Sequence, residues 1–533
     1  MKKSALLILS LGFVLSGCQN GRKGSSLSSS PSSSLRPQED EKVFSRQTIY
    51  IGIASGDIRV VPPSENSTRV GVSPFNTSIQ GKVYYYEGDY FDDDLNVIAE
   101  DFNSLFSLYH ALSDNHYNYK EVTKRDDRGN ALERKDIVNV KYINDHPGER
   151  IKVDPFLYDL LKRSYDFTLN SSLMFNRFSE SLSSLYEDKL SEDEYSGKAL
   201  NKAFSLSRNV RFKDDFSPSD IQNALLSVPE SKEEAKGCLT FDEEKKAVRL
   251  NKRVKDGKEY TPRRNLGGCA KGFATKAVAD YFKGLYPDIS LRINSGSSSI
   301  LAVGSRPDSL PWKITYVNPI SHERINQGGT NPSELYLQFK GPFNRSTSGY
   351  YEHYFYCYDP QKKEIFRRDH IFNTENGFSA PFFDQVSVLL DDAGLADRYT
   401  TAIRNCKGTE EAFALFDRLN KVYSTSGELL VCYKGEKGNE DSLYSYSLSD
   451  RSPLSSLGYP ISILNDGSEY DGDYLDVSLS DIKDTKTKSK YRFSEVYLRS
   501  GKRYQASHLF TEKNDTFFPY PDKAISVRKE HKG

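Results

Sequence analysis

Four segments rich in glycine and serine interrupt a long stretch of mixed helix and strand patterns, and they limit the folds open to this chain of 533 residues. Apolar side chains recur at helical spacing over residues 98–112 and 157–165. Asp154 and Pro155 mark the start of the second helix, because aspartate caps a helix and proline fits its first turn. Partial alternation of apolar and polar residues predicts strands at 289–293, 312–317, 334–339, 385–390 and 429–433. The fold class predicted is therefore α+β, with mixed sheets and helices over residues 43–433.

Composition excludes two broad classes of protein. A hydrophobic fraction of 37% with 12% aromatic residues suffices to bury a core, which excludes global disorder. A net charge of −1 argues against nucleic acid as a partner. The length predicts two or three domains. Residues 434–533 become rich in Ser, Tyr, Asp and Lys with short strand-like runs, and we interpret them as a β-rich C-terminal extension.

The N-terminus is typical of a bacterial lipoprotein. Lys2 and Lys3 precede an apolar run over residues 5–15, which ends in the box Leu-Ser-Gly before Cys18. This predicts that residues 1–17 are a signal peptide and that Cys18 takes acyl chains such as palmitate. The mature chain would be anchored by lipid to the extracytoplasmic face of the cell membrane. The alternative is a short buried helix followed by an ordinary cysteine.

A tether is expected next, because residues 25–34 contain eight serines in ten positions and the surrounding segment 18–42 cannot bury much apolar area. After residue 17 no apolar run approaches the roughly 20 residues that a membrane-spanning helix needs. Any membrane attachment is therefore predicted to depend on Cys18.

The first glycine-rich segment, NLGGCAKGFATKA, precedes a predicted helix over residues 270–283. Its glycines at 267, 268 and 272 let the backbone come close to a ligand, and the helix start offers free amides to a phosphate. The alternative is a tight turn before a helix. The second segment, residues 293–304, is interpreted as a polar turn between strands. The third, residues 345–355, is a serine-rich run. The fourth, residues 369–377, contains His370.

Asp397 and Thr401 lie four residues apart in a predicted helix and therefore share one face. With a carbonyl from a glycine turn, a carboxylate and a hydroxyl make a hard oxygen site suited to Mg²⁺. The alternative is a capping aspartate and an ordinary threonine on the helix surface.

The order of these segments resembles the ApbE family of FAD:protein FMN transferases. The matching segments, in chain order, are NLGGCAKGFA, INSGSSSILAVG, PWKITYVNP, STSGYYEHYF, HIFNTENG and VSVLLDDAGLADRYTTAI. Upstream, Phe75-Asn76-Thr77 is similar to the family's FDT start, and NVKYINDH leads into a helix and the segment TLNSSLMFN. The similarity covers about residues 70–433.

The resemblance implies that FMN is transferred from FAD to a threonine or serine hydroxyl of an extracytoplasmic flavoprotein acceptor, with release of AMP and dependence on Mg²⁺. The metal would be held by the Gly268 carbonyl, the Asp397 carboxylate and the Thr401 hydroxyl. His370 would take the proton from the acceptor hydroxyl. The positions implied to line the flavin and phosphate site are Asn265, Lys271, Asn294, Gly296, Thr347, Ser348 and His370.

The chain departs from the family pattern at three points. Asn265 replaces an aspartate, Asn373-Thr374 replaces Asp-Pro, and Ser297-Ser298 replaces a glycine and the acidic or amide residue after it. Each change keeps hydrogen-bonding capacity but removes negative charge or glycine's conformational freedom. Two other functions therefore stay open: a lipoprotein that binds flavin without transferring it, and an FAD pyrophosphatase.

Overall fold

The structure is a computed structural model, and it describes most of the chain between residues 43 and 434. The described ranges are 43–51, 58–60, 74–125, 131–135, 137–191, 213–296, 298–310, 312–316, 335–339, 341–359, 364–425, 427–434, 440–447, 492–493, 495–497 and 503–505. The predicted signal peptide, Cys18 and the serine-rich tether lie outside these residues. Within the described ranges, no helix has the length and apolar character needed to cross a membrane.

The helices of the described ranges are distributed from residue 92 to residue 423. They are α1 (Asp92–Ser113), α2 (Val140–Asp145), α3 (Pro155–Asn170), α4 (Glu180–Ser191), α5 (Pro218–Leu225), α6 (Lys232–Cys238), α7 (Ala270–Leu285), α8 (Ala393–Arg404) and α9 (Thr409–Tyr423). Two short 3₁₀ helices span Pro74–Asn76 and Tyr350–Glu352.

The strands lie before, between and after these helices along the chain. They are β1 (Phe44–Ile51), β2 (Ile58–Val60), β3 (Ile79–Tyr86), β4 (Tyr119–Arg125), β5 (Ala131–Lys135), β6 (Ile151–Lys152), β7 (Leu239–Asp242), β8 (Ala247–Leu250), β9 (Arg253–Lys255), β10 (Lys258–Tyr260), β11 (Ser290–Ser295), β12 (Ser299–Val303), β13 (Trp312–Tyr316), β14 (Leu335–Phe339), β15 (Phe343–Gly349), β16 (Tyr354–Asp359), β17 (Glu364–Asp369), β18 (Phe383–Leu389), β19 (Glu428–Lys434), β20 (Glu440–Ser447), β21 (Arg492–Phe493), β22 (Glu495–Tyr497) and β23 (Arg503–Gln505).

A nine-stranded sheet in the order β1-β3-β11-β12-β15-β18-β19-β20-β21 is the centre of the fold. Its pairs are antiparallel except for the last, β20 with β21. Helices α1 and α7 pack on one face, where Phe102 and Phe282 join the buried residues Val83 and Ile293 of the sheet. On that same face α8 packs against β15 and β18, so that α7 and α8 lie side by side over the middle of the sheet. The α+β fold class predicted from the sequence is confirmed.

The long periodic segments are where they were predicted. Residues 98–112 lie in α1, and residues 157–165 lie in α3. Asp154 caps α3 by accepting a hydrogen bond from the Phe156 amide at 2.9 Å. The five predicted strands are present, and where both of their ends are described these lie within two residues of the prediction.

The glycine- and serine-rich segments were predicted less well. Residues 293–304 were interpreted as one polar turn, but β11 runs to Ser295 and β12 begins at Ser299. The serine-rich run that begins at residue 345 starts inside a strand, β15, which was not among the predicted strands. Helix α7 continues two residues beyond its predicted end at residue 283, to Leu285. Polarity misled the prediction here, because the serines of these buried strands are satisfied by tertiary hydrogen bonds that local sequence does not reveal.

Described pieces beyond residue 434 are all strands. Strand β20 pairs with β19 along seven residues and so extends the central sheet, whereas β22 and β23 form a hairpin. The limits of the C-terminal extension and of the other domains stay predictions.

A buried hydrogen-bond chain fixes the entry to β3. The Phe75 amide donates to His110 Nδ1 at 3.1 Å, and His110 Nε2 lies 3.1 Å from the Tyr119 hydroxyl. The Tyr119 hydroxyl donates to the Asp114 carboxylate. Because Nδ1 accepts a hydrogen bond, the imidazole must be neutral with its proton on Nε2. Burial accordingly lowers the pKa of His110 below its usual 6.5, although the Asp114 charge opposes this.

This arrangement predicts a pH-dependent stability. The unfolded chain binds a proton at His110 below about pH 6.5, and the folded chain resists it, so the free energy of unfolding should fall as pH drops below 6.5. The loss is about 1.4 kcal/mol for each unit by which the folded pKa is lowered. In His110→Gln, a neutral amide accepts from Phe75 and donates to Tyr119. Thermal melts between pH 7 and 5 should show a smaller loss in this variant than in the wild type, and equal losses would contradict the assignment.

Candidate active site

The contact between α7 and α8 brings the first glycine-rich segment close to Asp397 and Thr401, the predicted metal ligands on α8. The Gly272 amide donates to Asp397 Oδ2 at 2.9 Å. A Cβ at residue 272 would lie 2.5 Å from the Ala393 carbonyl and 2.6 Å from Asp397 Cβ, so only glycine fits without displacing a helix. The amide of this glycine therefore binds a protein carboxylate, and the approach of a ligand to the glycine segment stays a prediction.

Asp397 is a buried carboxylate with 5% of its surface exposed. Burial raises its pKa to about 6, and the charge of Lys271 and the Gly272 hydrogen bond oppose this rise. The Glu352 carboxylate adds to the rise. Lys271 and Glu352 therefore lie near enough to Asp397 to act on its charge, and Glu352 is a site residue that the sequence interpretation missed although it lies in STSGYYEHYF.

The contact of α7 with α8 brings together the three residues that were predicted to bind the metal. The Thr401 hydroxyl lies 3.3 Å from the Gly268 carbonyl and 3.2 Å from the Asp397 carbonyl, one turn earlier in α8. A Cβ at residue 268 would lie 3.1 Å from Thr401 Oγ1, so this position of the turn also favours a residue without a side chain. A carbonyl, a carboxylate and a hydroxyl are the hard oxygen ligands that Mg²⁺ accepts. The residues present thus fit that ion. Clusters of three or more His, Cys, Asp or Glu side chains with ligand geometry are not found in the described ranges.

The alternative interpretation of Asp397 as a helix cap is wrong. Asp392 is the N-cap of α8, because its side chain accepts a hydrogen bond from the Leu395 amide at 2.8 Å. Asp397 lies one turn inside the helix, where a buried carboxylate contributes no cap.

Neighbouring side chains of β15 face opposite sides of the sheet. Ser348 Oγ lies 2.8 Å from the Thr400 hydroxyl and so faces α8. Thr347 Oγ1 lies 2.6 Å from Ser387 Oγ on the other face, as the alternation of a strand requires. Of these two predicted site residues, only Ser348 directs its side chain toward α8.

The end of β11 is tied to the segment that resembles the FDT start. Ser295 Oγ bonds Thr275 of α7 at 2.8 Å, so the Asn294 side chain before it projects from the opposite face. Gly296 has φ +60°, and a Cβ there would lie 2.0 Å from Thr77 Oγ1. Phe75 itself has φ 56°, a left-handed conformation that is costly for a bulky residue. Gly296 thus adjoins Thr77, and the Asn294 side chain is directed away from α7.

Asn265 holds the glycine turn. Its Oδ1 accepts from the Gly267 amide at 2.6 Å, and its Nδ2 bonds Ser183 Oγ at 2.7 Å. Asn373 acts similarly, since its Oδ1 accepts from the Glu375 amide at 2.7 Å. Asn265 and Asn373, which each replace an aspartate of the family pattern, therefore stabilise the turns in which they lie through local hydrogen bonds.

His370 is held in one tautomer. Its Nδ1 lies 3.2 Å from the His353 carbonyl, which only accepts, so Nδ1 carries the proton and Nε2 is left as an acceptor. The preceding Asp369 forms a buried ion pair with Arg404 of α8 at 2.9 Å. This ion pair, which the sequence interpretation missed because no local pattern signals it, joins the histidine loop to the metal helix.

A cavity of about 400 Å³ lies beyond this loop. It shares no residue with the Gly268, Asp397 and Thr401 cluster. Its lining residues are Asn373, Asn376, Ser379, Ala380, Pro381, Phe382, Asn405 and Lys407.

Comparison with known families gives one decisive match. The model described as "ApbE family" matches residues 130–424. This chain belongs to the ApbE family. No curated protein matches it.

Solved structures of low sequence identity are similar to this ApbE-family chain. The ApbE protein of Thermotoga maritima is 20% identical, with a TM-score of 0.48, over 72% of this chain and 96% of that one. The flavin transferase ApbE of Vibrio cholerae is 14% identical, with a TM-score of 0.47, over 76% and 98%. The flavinyl transferase ApbE of Pseudomonas stutzeri, in its apo form, is 14% identical, with a TM-score of 0.48, over 79% and 99%.

The close approach at Gly272 predicts a position-specific effect of alanine. Gly272→Ala should destabilise the fold by about 1–3 kcal/mol, because the new methyl group meets the Ala393 carbonyl and Asp397. Gly284→Ala, in the same helix, meets nothing within 4 Å and should stabilise it by about 0.5–1 kcal/mol. Chemical denaturation of both variants measures the difference, and similar shifts for the two would contradict the packing described.

Proposed function

We propose that this ApbE-family chain is a flavin transferase that uses FAD and Mg²⁺ and modifies a threonine or serine hydroxyl of an extracytoplasmic acceptor protein. The contact of α7 with α8 carries the proposal, because it places the Thr401 hydroxyl beside the Gly268 carbonyl and the Asp397 carboxylate one helical turn earlier, against the Gly272 amide. Family membership and the flavin transferase names of similar structures support it.

In the proposed reaction the acceptor oxygen bonds to the FMN phosphorus of FAD. The bond from that phosphorus to the bridging pyrophosphate oxygen breaks, and AMP leaves with the bond's electron pair. The acceptor's proton passes to His370 Nε2, the ring nitrogen that the His353 contact leaves free to accept. A bound Mg²⁺ would supply charge neutralisation at the pyrophosphate.

Protein groups supply mainly positioning in such a reaction. Gly272 holds the Asp397 carboxylate, and Lys271 places a positive charge beside it. The Asp369–Arg404 ion pair sets the distance between the histidine loop and α8. These are contacts between rigid elements, which suits a site that must hold two reactants in line.

Asp397→Asn tests the proposal. Asparagine keeps an acceptor for the Gly272 amide but removes the charge, so transfer should fall at least about 100-fold, the factor equivalent to about 3 kcal/mol on the barrier. Thr401→Val should have a smaller effect, because a neutral hydroxyl contributes less than an anion. The purified protein is incubated with FAD, Mg²⁺ and a periplasmic protein extract, while AMP release and covalent flavin fluorescence are followed.

Asp392→Ala is the matched control. Loss of this cap should cost about 1 kcal/mol of stability and leave transfer unchanged below the melting temperature. AMP release without an acceptor would indicate a pyrophosphatase, and bound FAD without AMP would indicate a flavin-binding protein. Wild-type turnover in Asp397→Asn would refute the metal-site assignment.

We also propose that the mature chain begins at Cys18 and is anchored by lipid to the extracytoplasmic face of the cell membrane. The support is the pair Lys2 and Lys3, the apolar run and the Leu-Ser-Gly-Cys box. In Cys18→Ala the acceptor thiol for the lipid is missing, so unprocessed or soluble protein is expected. Membrane fractionation and mass spectrometry of the N-terminus measure this, and unchanged processing with unchanged membrane binding would disprove it.

A further inference from the structure

Two arginines are buried beside the glycine turn. Arg177 is 1% exposed and Arg264 is 0% exposed. The Asn144 side chain bonds both backbone groups of Arg264, with distances of 2.8 Å to its amide and 3.0 Å to its carbonyl. The Arg177 carbonyl accepts from the Asn265 amide at 2.9 Å. Both backbones are therefore fixed, and neither side chain is free to swing to the surface.

Their guanidinium groups have few hydrogen-bond partners. Arg177 Nη1 donates to the Leu161 carbonyl at 2.6 Å, but its Nε and Nη2 have no partner in the described residues. In the same part of the chain, Nε, Nη1 and Nη2 of Arg264 are all without a partner. The Phe178 ring, 5.5 Å from the Arg264 guanidinium carbon, offsets only part of this. Buried N–H groups without acceptors are strongly destabilising.

Negative charge is also missing around the pair. Burial and the charge of Arg177 lower the pKa of Arg264, and the remaining groups that act on it are two thiols and the Tyr165 phenol. Burial lowers the pKa of Arg177 to about 9, so this side chain is charged at neutral pH. Asp166, the acid that acts on Arg177, is exposed and forms no hydrogen bond with it within the described ranges. The two buried positive charges thus act on each other, and neither forms a hydrogen bond with a carboxylate in the described residues.

We propose that Arg177 and Arg264 bind a small inorganic anion, such as chloride or phosphate, in the interior beside the glycine turn. An anion accepts several N–H bonds at once and neutralises charge, whereas a water molecule accepts two and neutralises none. The nitrogens concerned have almost no exposed surface, so a nucleotide or a peptide does not reach them. The proposal does not depend on the proposed flavin transfer.

Thermal melts of the purified full-length protein test the proposal. Wild-type protein is melted in sodium gluconate, and then with chloride or phosphate replacing gluconate at constant ionic strength. We expect the melting temperature to rise with chloride or phosphate concentration and to saturate. Arg264→Met should lose this gain and, in gluconate, melt no lower than the wild type, because a buried unpaired charge has been replaced by an apolar side chain of similar length.

Arg249→Met is the matched control, since Arg249 is exposed on β8 and should keep the wild-type gain. General salt effects act on all three proteins alike, so the difference between the two variants isolates the site. Equal melting of the wild type in every salt, or an unchanged gain in Arg264→Met, would overturn the proposal. If Arg264→Met does not fold, crystals of the wild type in bromide decide: an anomalous peak between the two guanidinium groups supports the site, and its absence overturns it.

Discussion

The contact of Gly272 with Asp397 is the constraint on which the site depends. It allows α7 and α8 to approach so closely that an amide of one helix binds a carboxylate inside the other. Burying that carboxylate has a cost, visible in a pKa raised to about 6, and Lys271 offsets part of it. The same approach places Thr401 beside the Gly268 carbonyl. A side chain at residue 272 would therefore disturb packing and chemistry together.

Helix α8 also connects the second half of the site. Arg404, its last residue, is fully buried and pairs with Asp369, and His370 follows directly. Burial lowers the pKa of Arg404, while the Asp369 charge opposes this. Breaking such a pair leaves an uncompensated buried charge, so the ion pair holds one geometry firmly. One helix thus carries the proposed metal ligands on one turn and positions the proposed base from another.

The features that were predicted correctly are those that depend on residues close together in the sequence. The period of α1 and α3, the cap at Asp154 and the shared face of Asp397 and Thr401 follow from helix geometry. The partners of Gly272 and Gly296 were not predictable, because each glycine is required by a side chain distant in sequence, Asp397 and Thr77 respectively. The serine at the start of β12 was mistaken for a turn residue, since its hydroxyl partner lies on another strand, β15.

The substitutions of acid by amide acquire a physical meaning from these contacts. The Asn265 side chain accepts from the Gly267 amide with its oxygen and donates to the Ser183 hydroxyl with its nitrogen. The Ser183 proton is thereby left for the Glu187 carboxylate, whereas a carboxylate at residue 265 would have to accept that proton itself. The turn before Gly268 is thereby held by neutral groups. Asp397 is then the carboxylate of the predicted ligand set, with Glu352 near enough to raise its pKa. The negative charge that would bind the cation therefore lies on α8, the helix whose position Gly272 fixes. The two substitutions of aspartate by asparagine affect the shape of their turns and not the charge of the proposed metal site.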